Sequence, residues 1–248
     1  MKKTDGLSPN QEKIMSILEY KKIEVVARPE LLDLMKKHMQ VKDKTDLIEK
    51  LQKKKRLVPI KKGIYMVVPL RAVDKRWSLS ELEMANYLLK GDYYIGLCNA
   101  FNLHGFTEQV PNKLFIFNTR YSSEKEILHY KIKFFKIKRE KLFGILDRYK
   151  YPYSDKERTI IDALDRPEYL GGLGMVMDSI KESRFDKRRL IDYSIRYGSI
   201  KVMKIAGLLT NSIRLSNILK KKKALSYYTT VKKTRENITN KKWKIRLI

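Results

Sequence analysis

Apolar residues recur at helical spacing three times in the first 53 residues of this 248-residue chain, and the pattern then changes to two short apolar runs about a glycine. Ser8-Pro9-Asn10-Gln11 reads as a helix start: Ser8 can cap, Pro9 suits the first turn, and Gln11 stands where a capping-box partner would. Ile14, Ile17 and Leu18 fall on one face of the helix that follows, which runs to about Tyr20. Ile23, Val25 and Val26 form a short extended piece, and Pro29 restarts the chain as a helix through Leu31, Leu32, Leu34 and Met35. Asp43-Lys44-Thr45-Asp46 is a third helix start, followed by Leu47, Ile48 and Leu51 at core spacing. Residues 56 to 61 and 64 to 68 then predict a hairpin that turns at Lys62-Gly63, where glycine supplies the positive φ of a tight turn.

Three helices and a hairpin in this order predict a winged helix-turn-helix over residues 1 to 68, with the third helix as recognition helix. Charge strengthens that expectation. The chain carries 55 Lys and Arg against 28 Asp and Glu, a formal +27, and residues 1 to 68 hold 17 basic and 9 acidic side chains. Each lysine alone is explained by a solvated surface, but they gather on the two elements that approach DNA in this fold. The expected DNA-binding residues are Lys42, Lys44, Thr45, Lys50, Lys53, Lys54 and Arg56 on and around the third helix, with Lys61 and Lys62 at the wing.

Past a connection at about residues 69 to 76, residues 77 to 248 predict a second domain of mixed α/β type, so the fold class expected is α+β. Ser78-Leu79-Ser80-Glu81 reads as a capping box opening a helix to Lys90, and a second helix is expected from about Tyr93 to Leu103, closed by Gly105. Residues 113 to 119 and 132 to 137 read as strands. Ser154-Asp155-Lys156-Glu157 reads as another capping box, on a helix that ends at Arg166-Pro167. Three further helices are expected over residues 185 to 197, 200 to 209 and 213 to 219.

Lys61-Lys62-Gly63-Ile64-Tyr65, Tyr93-Tyr94-Ile95-Gly96-Leu97 leading to Leu103-His104-Gly105-Phe106-Thr107-Glu108-Gln109, and Glu157-Arg158-Thr159-Ile160-Ile161-Asp162-Ala163 resemble the AbiEi antitoxins of bacterial and archaeal abortive-infection systems. Gly171-Gly172 after Arg166-Pro167-Glu168-Tyr169, and the late Trp243, are similar to that family too. Asn99-Ala100 departs from it, since family members often carry Ser before Ala there. The resemblance implies a winged-helix repressor of its own operon whose C-terminal domain neutralises a cognate nucleotidyltransferase toxin within a type IV toxin–antitoxin pair. The expected partners are therefore double-stranded operator DNA and that toxin, whether or not the two proteins touch.

The last 65 residues, from Arg184, hold 19 basic and 3 acidic side chains, an excess that repels itself unless a polyanion is near. A second phosphate-binding surface is expected there, with Arg188, Arg189, Lys220, Lys221, Lys222 and Lys223 as its contacts. Arg196, Lys201, Lys204 and Arg214 lie on the same helices, and Tyr227, Tyr228 and Trp243 are assigned to packing.

No catalytic residue is expected. His104 stands at a helix end, where imidazole can bond last-turn carbonyls, and Asp162 can pair with Arg158 one turn earlier. Asp147, Asp155 and Glu157 do not fall in a nuclease arrangement, and there is no phosphate loop of the Gly-x-x-x-x-Gly-Lys kind. Gly171-Gly172-Leu173-Gly174 reads as a loop between helices. One cysteine, Cys98, and three scattered histidines predict neither disulfide nor metal, and no cofactor is expected. With no apolar run behind Lys2 and Lys3 and no spanning stretch, a cytoplasmic protein is expected. The competing readings are a metal-dependent nuclease acting on nucleic acid and an RNA-binding adaptor.

Overall fold

The computed structural model describes residues 6–72, 77–89, 91–147, 151–231 and 238–247. It is an α+β fold in two compact units, Met1–Lys90 and Gly91–Ile248.

In the first unit Pro9–Tyr20 forms α1, Val25–Ala27 β1, Arg28–His38 α2, Lys44–Lys53 α3, Leu57–Lys61 β2, Ile64–Val67 β3 and Glu81–Leu88 α4. The starts of α1 and α3 are those the polar residues mark. The Ser8 N–H donates to Gln11 Oε1 at 2.9 Å, and Asp43 Oδ1 accepts from the Asp46 N–H at 2.9 Å, so each side chain satisfies a backbone donor that a helix start leaves open. Ile14, Met15, Leu18, Leu31, Met35, Ile48 and Leu51 are fully buried, and Leu57, Tyr65 and Val67 of the hairpin close the same core. The sheet runs β1-β3-β2, antiparallel throughout. Pro59 sits on β2, an edge strand, where its missing N–H breaks no ladder, and Gly63 turns the wing at φ +74°.

Two expectations change here. The cap of α4 is Ser80 rather than Ser78, so that helix starts two residues later, and it counts with the first unit rather than the second. The division therefore falls at Lys90/Gly91, not at 69 to 76; residues 73 to 76 and the expected helix end at Lys90 lie outside the described residues.

The second unit begins with Tyr93–Ile95 (β4), Leu97–Leu103 (α5), Lys113–Asn118 (β5), Ser123–Ile127 (β6), Tyr130–Lys136 (β7), Ile145–Leu146 (β8) and Tyr153–Ser154 (β9). Its sheet has the order β6-β7-β5-β4-β9-β8, with β5·β7 and β4·β9 parallel and the other pairs antiparallel. The helix expected from Tyr93 is instead strand and then helix. Tyr93, Tyr94 and Ile95 are all buried, and a strand covered on both faces is a continuous apolar run that periodicity alone does not separate from a helix. β6 was not expected, because Ser-Glu-Lys-Glu-Ile has a single apolar residue; it is a sheet edge, where charge deters further pairing. Glu124 on it accepts from Lys113 at 2.6 Å and from Lys133 at 3.1 Å.

Helices follow: Lys156–Asp165 (α6), Leu173–Lys181 (α7), Lys187–Tyr197 (α8), Ile200–Thr210 (α9) and Ile213–Lys221 (α10). α6 is buried from Glu157 to Leu164 and packs against α5, α8 and α9. Its cap is Asp155, whose Oδ1 accepts from the Arg158 N–H at 2.7 Å, while Ser154 belongs to β9. Glu157 accordingly leaves the expected capping box and accepts from the Asp186 N–H, at the start of α8, at 2.8 Å. Thr229–Val231 (β10), Ile238–Asn240 (β11) and Ile245–Leu247 (β12) form a last sheet of order β10-β12-β11. Trp243 beside it is 2% exposed and lies on Gly207 of α9. A Cβ at Gly207 would come within 2.3 Å of the indole, so only glycine allows that approach.

Candidate nucleic-acid interface

α3 buries Leu47, Ile48 and Leu51, which leaves Thr45, Glu49, Lys50 and Lys53 exposed on its other side, with Lys42 exposed just before it. Thr45 is the residue about which the neighbouring elements converge. Its Oγ1 accepts from the Arg28 guanidinium at 3.2 Å, and the Arg28 N–H donates to the Gly63 carbonyl at 2.8 Å. The start of α3, the start of α2 and the tip of the wing therefore meet at Arg28. Nothing in the sequence pattern marks this residue beyond its place before Pro29; the signal that finds it is the hairpin turn pairing with the β1–α2 junction. Lys62 is exposed at the same turn.

Other expected contacts are drawn inward. Arg56 is 3% exposed and donates to the Pro69 carbonyl at 2.6 Å, so it secures the chain after β3 rather than facing solvent; a basic residue directly after a lysine run reads as surface until the hairpin folds over it. Lys54 reaches the Gly6 carbonyl and Gln11 Oε1, the latter at 2.8 Å, and ties the end of α3 to the start of α1. Lys44 donates to the Val41 carbonyl at 2.9 Å, and half-buried Lys61 donates to the Leu88 carbonyl at 3.0 Å. Lys50 pairs with Asp46 one turn away at 2.8 Å, and that hydrogen bond raises the ammonium pKa. Lys42, Thr45, Lys50, Lys53 and Lys62 are thus the expected residues that remain exposed on this face, joined by Arg28 through its bond to Thr45.

In the second unit Arg188 and Arg189 open α8 and are exposed, Arg189 standing 3.5 Å from Glu157. Lys220, Lys221, Lys222 and Lys223 are exposed where α10 ends, and the first two are placed to favour its carbonyl terminus. The two groups occupy opposite termini of different helices. Lys204 is a correction: it is fully buried, donating to the Tyr227 carbonyl at 2.9 Å, Thr229 Oγ1 at 2.8 Å and the Lys244 carbonyl at 3.3 Å, and burial lowers its pKa. Lys201 turns to Asp165 and Arg214 to Asp192. Trp243 packs as expected, but Tyr227 is 48% exposed, its ring 4.5 Å from the Lys204 ammonium beneath.

Side chains that invite a catalytic reading have structural partners. His104 Nε2 donates to the Ser154 carbonyl at 2.8 Å, joining α5 to β9 instead of bonding its own last turn. Asp155 accepts from the Tyr193 hydroxyl at 2.8 Å besides capping α6. Arg158 and Asp162 meet at 3.0 Å with neither side chain exposed, and the Tyr94 hydroxyl donates to Asp162 Oδ2 at 3.0 Å. Burial alone would lower the Arg158 pKa, but Asp162 and then Tyr94 outweigh it and hold the guanidinium above its ordinary value. Burial pushes the Cys98 thiol up to about 11, away from the reactive thiolate. Asn99, at the departure from the resembled pattern, is buried and accepts from the Phe115 N–H at 2.8 Å, pinning α5 to β5. Among the described residues no helix is long and apolar enough to cross a membrane.

No family model matches the chain, and no curated protein matches it. Among solved structures it is similar to the crystal structure of the RV2827C protein from Mycobacterium tuberculosis, with a TM-score of 0.73 and 15% identity over 97% of this chain and 92% of that one. At that identity the likeness shows a shared fold.

Proposed function

We propose that this protein is a sequence-specific duplex-DNA-binding antitoxin that represses its own operon and neutralises a nucleotidyltransferase-type toxin without catalysis of its own. The observation that carries the DNA half is the junction of Arg28, Thr45 and the Gly63 turn, with exposed Lys42, Lys50, Lys53 and Lys62 around it. A helix start that offers a hydroxyl to a groove, flanked by cations for the two backbones, is the arrangement in which base contacts specify and phosphate contacts position. Exposed cations on α8 and α10 support a second backbone contact. The antitoxin half rests on the resemblance of the 93–97, 103–109 and 157–163 segments to AbiEi proteins, segments that form β4, the two ends of α5 with the turn after it, and most of α6.

Fluorescence anisotropy of the full chain on its own upstream DNA and on a scrambled duplex tests the first half. Tighter binding to the former is expected, and equal affinity at every salt concentration overturns it. Sequencing the neighbouring reading frame and co-expressing a nucleotidyltransferase found there tests the second, with rescued growth expected and continued arrest by an active toxin, or no such gene in the operon, against it.

A further inference from the structure

One hollow in the second unit, of about 440 Å³, is lined by Lys136, Lys138, Glu140 and Lys141 from the end of β7 onward, by Asp165 and Arg166 at the end of α6, and by Tyr197 and Ser199 where α8 gives way to α9. Its charges do not balance. The Asp165 carboxylate is shared by three partners: the Arg166 guanidinium, the Tyr197 hydroxyl at 2.8 Å and the Lys201 ammonium at 3.9 Å. Glu140 stands 3.7 Å from Lys138. Lys141 has no carboxylate within ion-pair distance among the described residues; its ammonium lies 3.9 Å from the centre of the Tyr197 ring. Burial lowers its pKa, and the cations of Arg158, Arg166 and Lys138 lower it further against the pull of Asp165. A half-buried lysine among like charges is costly unless an anion joins it.

The rest of the hollow suits such an anion. The Arg166 guanidinium lies over Phe135, 4.9 Å from the ring centre, which holds its plane in place and leaves its edge for hydrogen bonds. Ser199 caps α9, whose first turn contains no acidic side chain, so the open N–H groups and the positive end of that helix add to the same field. The volume lies within the range of small-molecule sites and exceeds what a single phosphate fills.

We propose that this hollow binds a small free anion carrying linked phosphates, of the nucleoside triphosphate or inorganic polyphosphate class, with Lys141 and Arg166 as its principal donors. This goes beyond DNA binding and does not depend on it. The alternative source of the same chemistry is the backbone of a duplex, and the two are separable.

The test is titration calorimetry of the full chain with inorganic triphosphate, with ATP and with sulfate, each repeated on Lys141→Gln and on Lys62→Ala. Saturable one-to-one binding of triphosphate or ATP is expected, weakened about tenfold or more in Lys141→Gln, as for the loss of one charge-assisted hydrogen bond, and unchanged in Lys62→Ala. An Arg166→Lys variant, which keeps the charge but loses the planar fork, should weaken it too while circular dichroism stays native. Equal affinity in Lys141→Gln and the parent, or no saturable binding, overturns the proposal. Displacement of triphosphate by duplex DNA in the Lys62→Ala protein assigns the hollow to a DNA backbone and overturns it as well.

Discussion

The Arg28 guanidinium donates to Thr45 Oγ1 at 3.2 Å, and through that bond the first turn of α2 positions the first turn of α3. Because the Arg28 N–H also holds the Gly63 carbonyl, the orientation of the wing and that of α3 are linked through one residue. Arg28→Ala should therefore weaken operator binding and reduce discrimination between operator and scrambled DNA together. Thr45→Ala should reduce discrimination alone. Anisotropy on both duplexes checks this, and equal loss on the two duplexes for both variants would refute the assignment of α3.

Lys62 is exposed at the wing tip, and a backbone contact there carries no direct sequence information. Lys62→Ala should weaken all duplexes alike and flatten the plot of log affinity against log salt by about 0.9, the value for one neutralised phosphate. Replacing Lys220, Lys221, Lys222 and Lys223 by glutamine should flatten it by about 1 to 3 units without reordering DNA sequences. If the four-residue variant keeps the parent slope, the charge at the end of α10 serves another partner.

Arg56 gives the opposite expectation. It is buried against the Pro69 carbonyl, so Arg56→Ala should lower stability by about 1–3 kcal/mol through an unsatisfied buried acceptor while leaving the salt slope of the folded protein unchanged. Urea denaturation beside the anisotropy series checks both halves.

Gly207→Ala should destabilise the second unit by about 1–3 kcal/mol, although alanine favours a helix, because the added methyl must displace the Trp243 ring. Denaturation followed by tryptophan emission, with Gly174→Ala at the start of α7 as a comparison, reads the effect.

Asp186 caps α8, and the backbone N–H groups of Arg189 and Arg188 hold its carboxyl below the ordinary pKa against a smaller effect of burial. A depressed folded pKa means that the stabilisation is present above the unfolded value, near about 4, and is lost as the pH falls through the lower folded value. Asp186→Ala should thus melt earlier than the parent at pH 7, and the difference should shrink as the pH is lowered through the carboxylate range. A difference independent of pH would mean that the cap acts without its charge.

Local chemistry in the sequence determined the winged helix and most helix positions, because a cap, a 3.6-residue apolar period and a glycine at a positive-φ turn act within a few residues. Pro9, Asp43 and Gly63 needed no distant partner to be read. Tertiary structure decided what depends on the far side of a contact. Tyr93 to Ile95 became a strand because β5 and β9 flank it, and the charged β6 because β7 offered a free edge. The same holds for the candidate site. Which lysines face solvent and which bond a carbonyl, as Lys54, Lys61 and Lys204 do, depends on acceptors 23 to 48 residues away, and a long flexible side chain carries no local record of that choice.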